Sequence, residues 1–231
     1  MKILAIDTSG TNCSVAIIDD EKIISDFSLN TGTTHSQNLV PMLEQIQNFS
    51  KIELKDIDAI ACCIGPGSFT GIRIGIATVK GLAISLNKPV IGVSSLESLA
   101  YNVSTFDGTI CSIIDAKNEN VYAGLYTNPT CPTLISDYVS GSIYTLIEKL
   151  KNISGKVIFI GDGSLAYEDK LKSALGNNAY FVPKHLNMQL ATSLARAAMN
   201  YAEKNQYTTY DELKPLYLKK SQAERMLDGN E

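Results

Sequence analysis

Two short stretches hold the residues on which chemistry could be built. In Asp7-Thr8-Ser9-Gly10 an aspartate closes an apolar run and two hydroxyls follow it. That set can hold Mg²⁺ and phosphate, with Asp7 and Ser9 as the candidate ligands, or it can make a hairpin turn through Asx and hydroxyl bonding. The second stretch, Gly65-Pro66-Gly67-Ser68-Phe69-Thr70-Gly71-Ile72-Arg73-Ile74-Gly75, turns sharply out of an apolar run and enters a helical pattern. Glycines there let a backbone or a ligand approach closely, and Ser68 or Thr70 can cap the helix. Exposed N–H groups at a helix start suit phosphate, but the spacing matches neither G-x-x-x-x-G-K-[ST] nor G-x-G-x-x-G. A third stretch, Gly161-Asp162-Gly163-Ser164-Leu165-Ala166, fits G-x-G-x-x-A after a strand. A dinucleotide site would want an acidic residue at the end of the next strand, where Val182-Pro183-Lys184 stands, so a strand-to-helix turn is expected.

Metal and nucleophile chemistry find less. The only histidines, His35 and His185, lie far apart, and there is no H-E-x-x-H or G-x-S-x-G. The expectation is no catalytic constellation, no metal site and no cofactor of the chain's own.

The elements that must position these stretches alternate between the two periods of regular structure. Strands are expected at 2–6, 13–18 and 23–29, a helix from a Thr34/Gln37 capping box carrying Leu39, Met42, Leu43 and Ile46, and a strand at 59–64. The glycine turn and its helix follow, then a strand at 89–93 and a short helix capped by Ser94 and Glu97. From Thr109 the order begins again: strands at 109–114, 120–126 and 133–138, a helix at 142–150, a strand at 157–160, a helix at about 165–175, a strand at 179–182 and a helix at 190–201. Both halves read β-β-β-α-β-α-β-α, which implies a duplicated α/β unit with units at 1–104 and 105–231.

The glycine helix poses its own question. Ile72, Ile76, Val79, Ala83 and Leu86 form one apolar stripe, and Gly71, Gly75, Thr78 and Leu82 a second, small-residue one. Two faces seek burial, so either the helix is wrapped within its own domain or one face meets a partner.

Composition fits an ordinary globular chain: 231 residues, 45% hydrophobic, 19% charged, net charge −4. That balance argues against a freestanding nucleic-acid binder. Five cysteines without C-x-x-C fit reduced thiols, and adjacent Cys62 and Cys63 are expected on opposite faces of a strand. No leader or membrane-length segment is expected, and the cytoplasm is the expected location.

Residues along nearly the whole chain resemble the TsaB (YeaZ) family. They are Asp7-Thr8-Ser9 with Cys13-Ser14-Val15-Ala16, His35-Ser36 with Leu39 and Pro41, the run Gly65 to Gly75, Lys80-Gly81-Leu82-Ala83 and Pro215-Leu216-Tyr217-Leu218. The resemblance implies two ribonuclease H-like units of the actin-like ATPase superfamily. It also implies a non-catalytic part in placing threonylcarbamoyl on N6 of an adenosine beside the tRNA anticodon. The partners it implies are TsaD directly, TsaE, tRNA through the complex, and a second copy when TsaD is absent, with no membrane and with ATP or ADP only at the TsaD interface. The interface expected from it and from the two stripes comprises His35, Leu39, Met42, Gly67, Phe69, Thr70, Gly71, Arg73, Ile74, Gly75, Thr78 and Leu82. Where the catalytic relative carries a His-x-x-x-His metal motif, this chain has Ser95 and Leu99, and neither can replace an imidazole at a metal. The family's Asp-Ala-Arg-x-x-Glu-Val-Tyr reads Asp115-Ala116-Lys117-Asn118-Glu119-Asn120-Val121-Tyr122 here. Against this stand an actin-like ATPase or kinase, and a metallopeptidase.

Overall fold

The computed structural model describes residues 1–103, 105–127 and 130–219. The expected domain boundary at 104 and the tail beyond 219 fall outside the described residues.

The first half is β1 (Lys2–Asp7), β2 (Cys13–Asp19), β3 (Lys22–Leu29), α1 (His35–Ser50), β4 (Ala59–Gly65), α2 (Phe69–Leu86), β5 (Val90–Ser94) and α3 (Ser95–Ala100). Its sheet runs β3-β2-β1-β4-β5, antiparallel through the hairpins and parallel from β1 through β4 to β5. The second half is β6 (Thr109–Asp115), β7 (Asn120–Thr127), β8 (Thr133–Leu134), β9 (Val139–Ser142), α4 (Ile143–Lys151), β10 (Val157–Ile160), α5 (Asp162–Ala166), α6 (Glu168–Leu175), β11 (Ala179–Phe181) and α7 (Ala191–Glu203). Its sheet runs β11-β10-β6-β7-β8, with β9 also paired to β7. The two sheets share one strand order, so the duplication holds at the level of topology.

Some local expectations fail. The third strand of the second half is split into β8 and β9, both on β7. The single helix expected over 165–175 is two helices, α5 and α6, that break at Tyr167. Thr34 sits at the N-cap of α1 without a side-chain bond, so no capping box forms. Ser68, Ser94 and Ser142 do cap α2, α3 and α4 through their hydroxyls. By length and composition α2 could cross a membrane, with mean hydropathy 1.4, contrary to the expectation of no such segment. Its Ile72, Ile76, Val79 and Ala83 stripe is buried on the first sheet.

Side-chain alternation along the strands sets the layers. On the first sheet Leu4, Ile6, Val15, Ile17, Ile60 and Cys62 face α1 and α2. Ile3, Ala5, Ala16, Ala61, Cys63 and Ile91 face the other way, onto α7. Cys62 and Cys63 thus lie on opposite faces, as expected. The second sheet packs Cys111, Ile113, Ala123 and Phe159 on α4 and α6, while Ile110, Ile114, Tyr126 and Ile160 meet α3. The last helix of each half therefore crosses to the sheet of the other, and α3 and α7 form the layer between the two lobes. Alanines at 191, 195, 197, 198 and 202 let α7 lie close to its sheet.

Candidate functional site

The glycine turn is built against the end of the central strand. Gly65-Pro66 is a cis peptide, and beyond it the Ser68 N–H donates to the Ser9 carbonyl at 2.7 Å. A Cβ on Gly67 would lie 2.3 Å from that carbonyl oxygen, and one on Gly71 would lie 2.0 Å from the Thr8 carbonyl oxygen. The Thr8 hydroxyl donates to the Gly71 carbonyl at 2.7 Å, and a Cβ on Gly75 would lie 2.5 Å from its Oγ1. The Gly71 N–H donates to the Ser68 hydroxyl. What the glycines accommodate is thus the Thr8-Ser9 backbone, and the helix start is closed by protein groups that a phosphate would have to displace.

The carboxylate beneath this turn is closed as well. Asp7 is fully buried. Its Oδ1 accepts from the Ser9 N–H at 2.9 Å and the Ser9 hydroxyl at 2.7 Å. Burial pushes its pKa up, against the pull of Ser9, Cys63 and His35. Asp7 and Ser9, read as cation and phosphate ligands, bond each other instead. His35 joins the same corner through Nε2, 2.9 Å from the Gly10 carbonyl oxygen.

The second lobe repeats the arrangement. Gly161 has φ 101° and Gly163 follows it, and Cβ atoms there would lie 2.2 Å from the Ile113 carbonyl oxygen and 2.5 Å from its Cγ2. This is the close strand-to-helix turn expected from its sequence. Asp115 ends β6 as Asp7 ends β1, and accepts from the Lys117 N–H and Nζ and from the Tyr167 hydroxyl at 3.0 Å. Burial raises its pKa, but the Lys117 and Tyr167 bonds outweigh that and leave it lowered. Lys117, Asn118 and Glu119 all have positive φ. Asn120 ties that loop by donating to the carbonyls of Lys117 and Asn118, so both departures from the family motif have local structural roles.

The positions matched to the metal motif are also engaged. The Ser95 hydroxyl donates to the Pro66 carbonyl, and Leu99 is buried beside Leu96 and Ile110.

Among the residues expected at an interface, the structure separates an inner from an outer set. Leu39 and Met42 lie in the core of their own lobe, and Gly71 and Gly75 are closed against Thr8. These four are corrected: both stripes of α2 turn inward, and Ile74, Thr78 and Leu82 are half-buried at their margin. Exposed on α2 are Phe69, Thr70, Arg73, Ala77, Gly81, Ile84 and Ser85, with Ile84 59% exposed. On α1, Val40, Pro41 and Phe49 are exposed among Ser36, Gln37, Glu44, Gln45 and Asn48, so its outer face is mixed and nearly uncharged. The 34 residues of α1 and α2 carry only Glu44, Arg73 and Lys80 as charges. The 17 residues of α4 and α6, the same outer layer of the second lobe, carry Glu148, Lys149, Lys151, Glu168, Asp169, Lys170 and Lys172.

Sequence reasoning missed the part that the C-terminal segment plays here. Leu213 enters the first core, Leu216 N–H donates to the Ile64 carbonyl at 2.8 Å, and Tyr217 stacks on Phe69 with ring centroids 5.0 Å apart. Arg73 lies over Phe69 and donates to the Tyr217 hydroxyl at 3.0 Å. The Pro215-Leu216-Tyr217-Leu218 signature was the available signal.

Comparison with known proteins agrees with this layout. The family model described as TsaD, tRNA N6-adenosine threonylcarbamoyltransferase, matches residues 29–227. The tRNA threonylcarbamoyladenosine biosynthesis protein TsaB of Bacillus subtilis is 34% identical over 182 residues, 78% of this chain and 79% of that protein. The TsaB of Escherichia coli is 32% identical over the full length of both. Among solved structures, YeaZ from Pseudomonas aeruginosa superposes with TM-score 0.80 at 25% identity over 94% of this chain and 99% of that one. An activator of 2-hydroxyisocaproyl-CoA dehydratase from Clostridium difficile, solved with bound ADPNP, shares the fold at TM-score 0.54 and 12% identity over 94% of this chain and 100% of its own. The chain shares its fold with YeaZ and with that activator, and it belongs to the TsaB family of tRNA threonylcarbamoyladenosine biosynthesis proteins.

Proposed function

We propose that this chain acts in tRNA threonylcarbamoyladenosine synthesis as a non-catalytic subunit that docks on TsaD through the outer faces of α1 and α2. The observation that carries the reading is the charge contrast between the two outer layers. An outer helix pair exposed to water is normally charged, as α4 and α6 are, whereas α1 and α2 expose Val40, Phe49, Phe69, Ala77 and Ile84. A relative that matches the same family model can present an equivalent helix pair, and two such pairs meet in pseudo-twofold fashion. A second copy of this chain occupies the same face when TsaD is absent. TsaE and tRNA join through the complex, ATP or ADP binds only where TsaD contributes, and the complex works in the cytoplasm.

An ATPase or kinase needs both strand-end carboxylates turned toward a nucleotide. Asp7 is fully buried with Oδ1 held by Ser9, and Asp115 is tied to Lys117 and Tyr167, which favours the docking role.

Ala77→Arg and Ile84→Glu test it, since both sites are exposed and such changes usually alter stability by less than about 0.5 kcal/mol. The expected result is an unchanged melt with TsaD affinity lowered about tenfold or more, by calorimetry with purified TsaD. Normal binding by both variants would refute the docking face.

A further inference from the structure

Between the lobes, away from both glycine turns, lies a cavity of about 260 Å³. Four of the chain's 11 tyrosines line it, Tyr101, Tyr126, Tyr138 and Tyr201, together with Glu97 and Lys204. The crossed helices assemble it: Glu97 comes from α3, Tyr201 from α7 and Tyr126 from β7. Its volume lies just below the roughly 300–1,000 Å³ of drug-sized ligand sites, which suits a smaller molecule.

The polar groups of this cavity are only partly used within the protein. Tyr201 donates to Glu97 Oε2 at 2.9 Å, and Asn200 donates to the Tyr101 hydroxyl. The Tyr126 hydroxyl, on a side chain only 1% exposed, has no hydrogen-bond partner among the described residues. Its ring lies over Gly124, where a Cβ would fall 2.8 Å from the ring edge, so the strand makes room for it. Burial raises the Glu97 pKa, and Tyr201 and Lys204 oppose the rise. Lys204 is exposed at the rim and forms no ion pair with Glu97 among the described residues. The half-buried Glu97 carboxylate makes one hydrogen bond within the protein and shares the cavity lining with four tyrosines. Tyrosine walls with an acidic residue are the chemistry that attracts ammonium groups, by cation–π attraction and by charge-assisted bonding.

We propose that this inter-lobe cavity binds a small organic ammonium ion, with Glu97 as its counter-ion and the four tyrosines as its walls. Such a ligand ties α3 to α7 and hence one lobe to the other. The proposal is independent of the docking face, which lies on the outer layer.

The test is calorimetric titration of the full chain with choline, with its neutral isostere 3,3-dimethylbutan-1-ol, and with sodium chloride as control. Choline is expected to bind saturably, and the isostere about tenfold more weakly. Glu97→Gln should weaken choline about tenfold while leaving the isostere unchanged. Lys204→Ala, at an exposed site where no folding defect arises, should tighten choline severalfold by removing a like charge. If Glu97→Gln does not fold, the isostere comparison and Lys204→Ala decide alone. Absence of saturable choline heat, equal binding of the isostere, or a Lys204→Ala variant no tighter than the parent would each overturn the proposal.

Discussion

Three glycines on one helix should respond to alanine in three different ways. At Gly71 the new Cβ would lie 2.0 Å from the Thr8 carbonyl oxygen, a main-chain atom directly after β1. Relieving that contact means moving the end of the central strand, and overpacking of this kind costs about 1 to 3 kcal/mol. Alanine returns up to about 1 kcal/mol of helix preference, so a net loss of about 1 to 2 kcal/mol is expected for Gly71→Ala. For a chain of this size that lowers Tm by roughly 2 to 8 °C. At Gly75 the obstacle is Thr8 Oγ1 at 2.5 Å. A hydroxyl can rotate away, but only by giving up its bond to the Gly71 carbonyl, which is worth about 1 kcal/mol. Helix preference offsets that, so Gly75→Ala should stay within about 1 kcal/mol of the parent. Gly81 has nothing within 4 Å of its Cβ position, and Gly81→Ala should stabilise by about 0.5 to 1 kcal/mol. The assay is differential scanning calorimetry of the three variants beside a TsaD titration of each. A Gly71→Ala protein that melts like the parent yet fails to bind TsaD would show that the small-residue face is the outer one, and would refute this account of α2.

Further expectations concern the strand ends and the C-terminal segment. Gly161→Ala should destabilise by about 2 kcal/mol or more, since φ is 101° and the Ile113 carbonyl oxygen is 2.2 Å from the new Cβ; a melt within 1 °C of the parent would contradict it. The Asp7 pKa is raised on folding, so the folded state holds its proton more tightly and this group's contribution to stability falls as pH rises from about 4 through the folded pKa. Asp7→Asn should remove that dependence, and its Tm relative to the parent should climb between pH 4 and pH 7.5; parallel curves would argue against a charge buried there. Tyr217→Ala removes the stack on Phe69 and the bond from Arg73. It should speed amide exchange at Leu216, whose N–H donates to Ile64, while the β1 amides keep their protection.

Much of the fold could be read locally. Apolar runs marked the strands, Ser94 and one of Ser68 or Thr70 marked two helix starts, of which the structure uses Ser94 and Ser68, and adjacent Cys62 and Cys63 were placed on opposite faces of a strand, as they are. The candidate site was less legible because its decisive contacts join distant residues. Spacing showed that α2 has two buriable faces, but not that Thr8 would close one of them. Arg73 and Tyr217 are 144 positions apart, and a run of alanines at 191–202 fits many close packings without naming the first sheet as its partner. The Thr34/Gln37 pattern promised a cap, but the Thr34 hydroxyl makes no bond to the helix start and accepts from the Ser36 hydroxyl instead.

The crossing of α3 and α7 has a consequence for how the protein is made. One whole face of the first sheet, with Ile3, Ala5, Ala61, Ile91 and Val93, is covered chiefly by α7, with Tyr101 at its margin. About 110 residues separate the end of β5 from the end of that helix. At ribosomal rates of about 5–20 residues per second, the N-terminal sheet waits roughly 5 to 20 s, carrying exposed apolar surface, before its cover emerges. Nascent chains of this protein should therefore engage chaperones until α7 has left the ribosome, and a nonsense mutation between Phe181 and Ala191 should yield an insoluble product even though every strand of both sheets has been made.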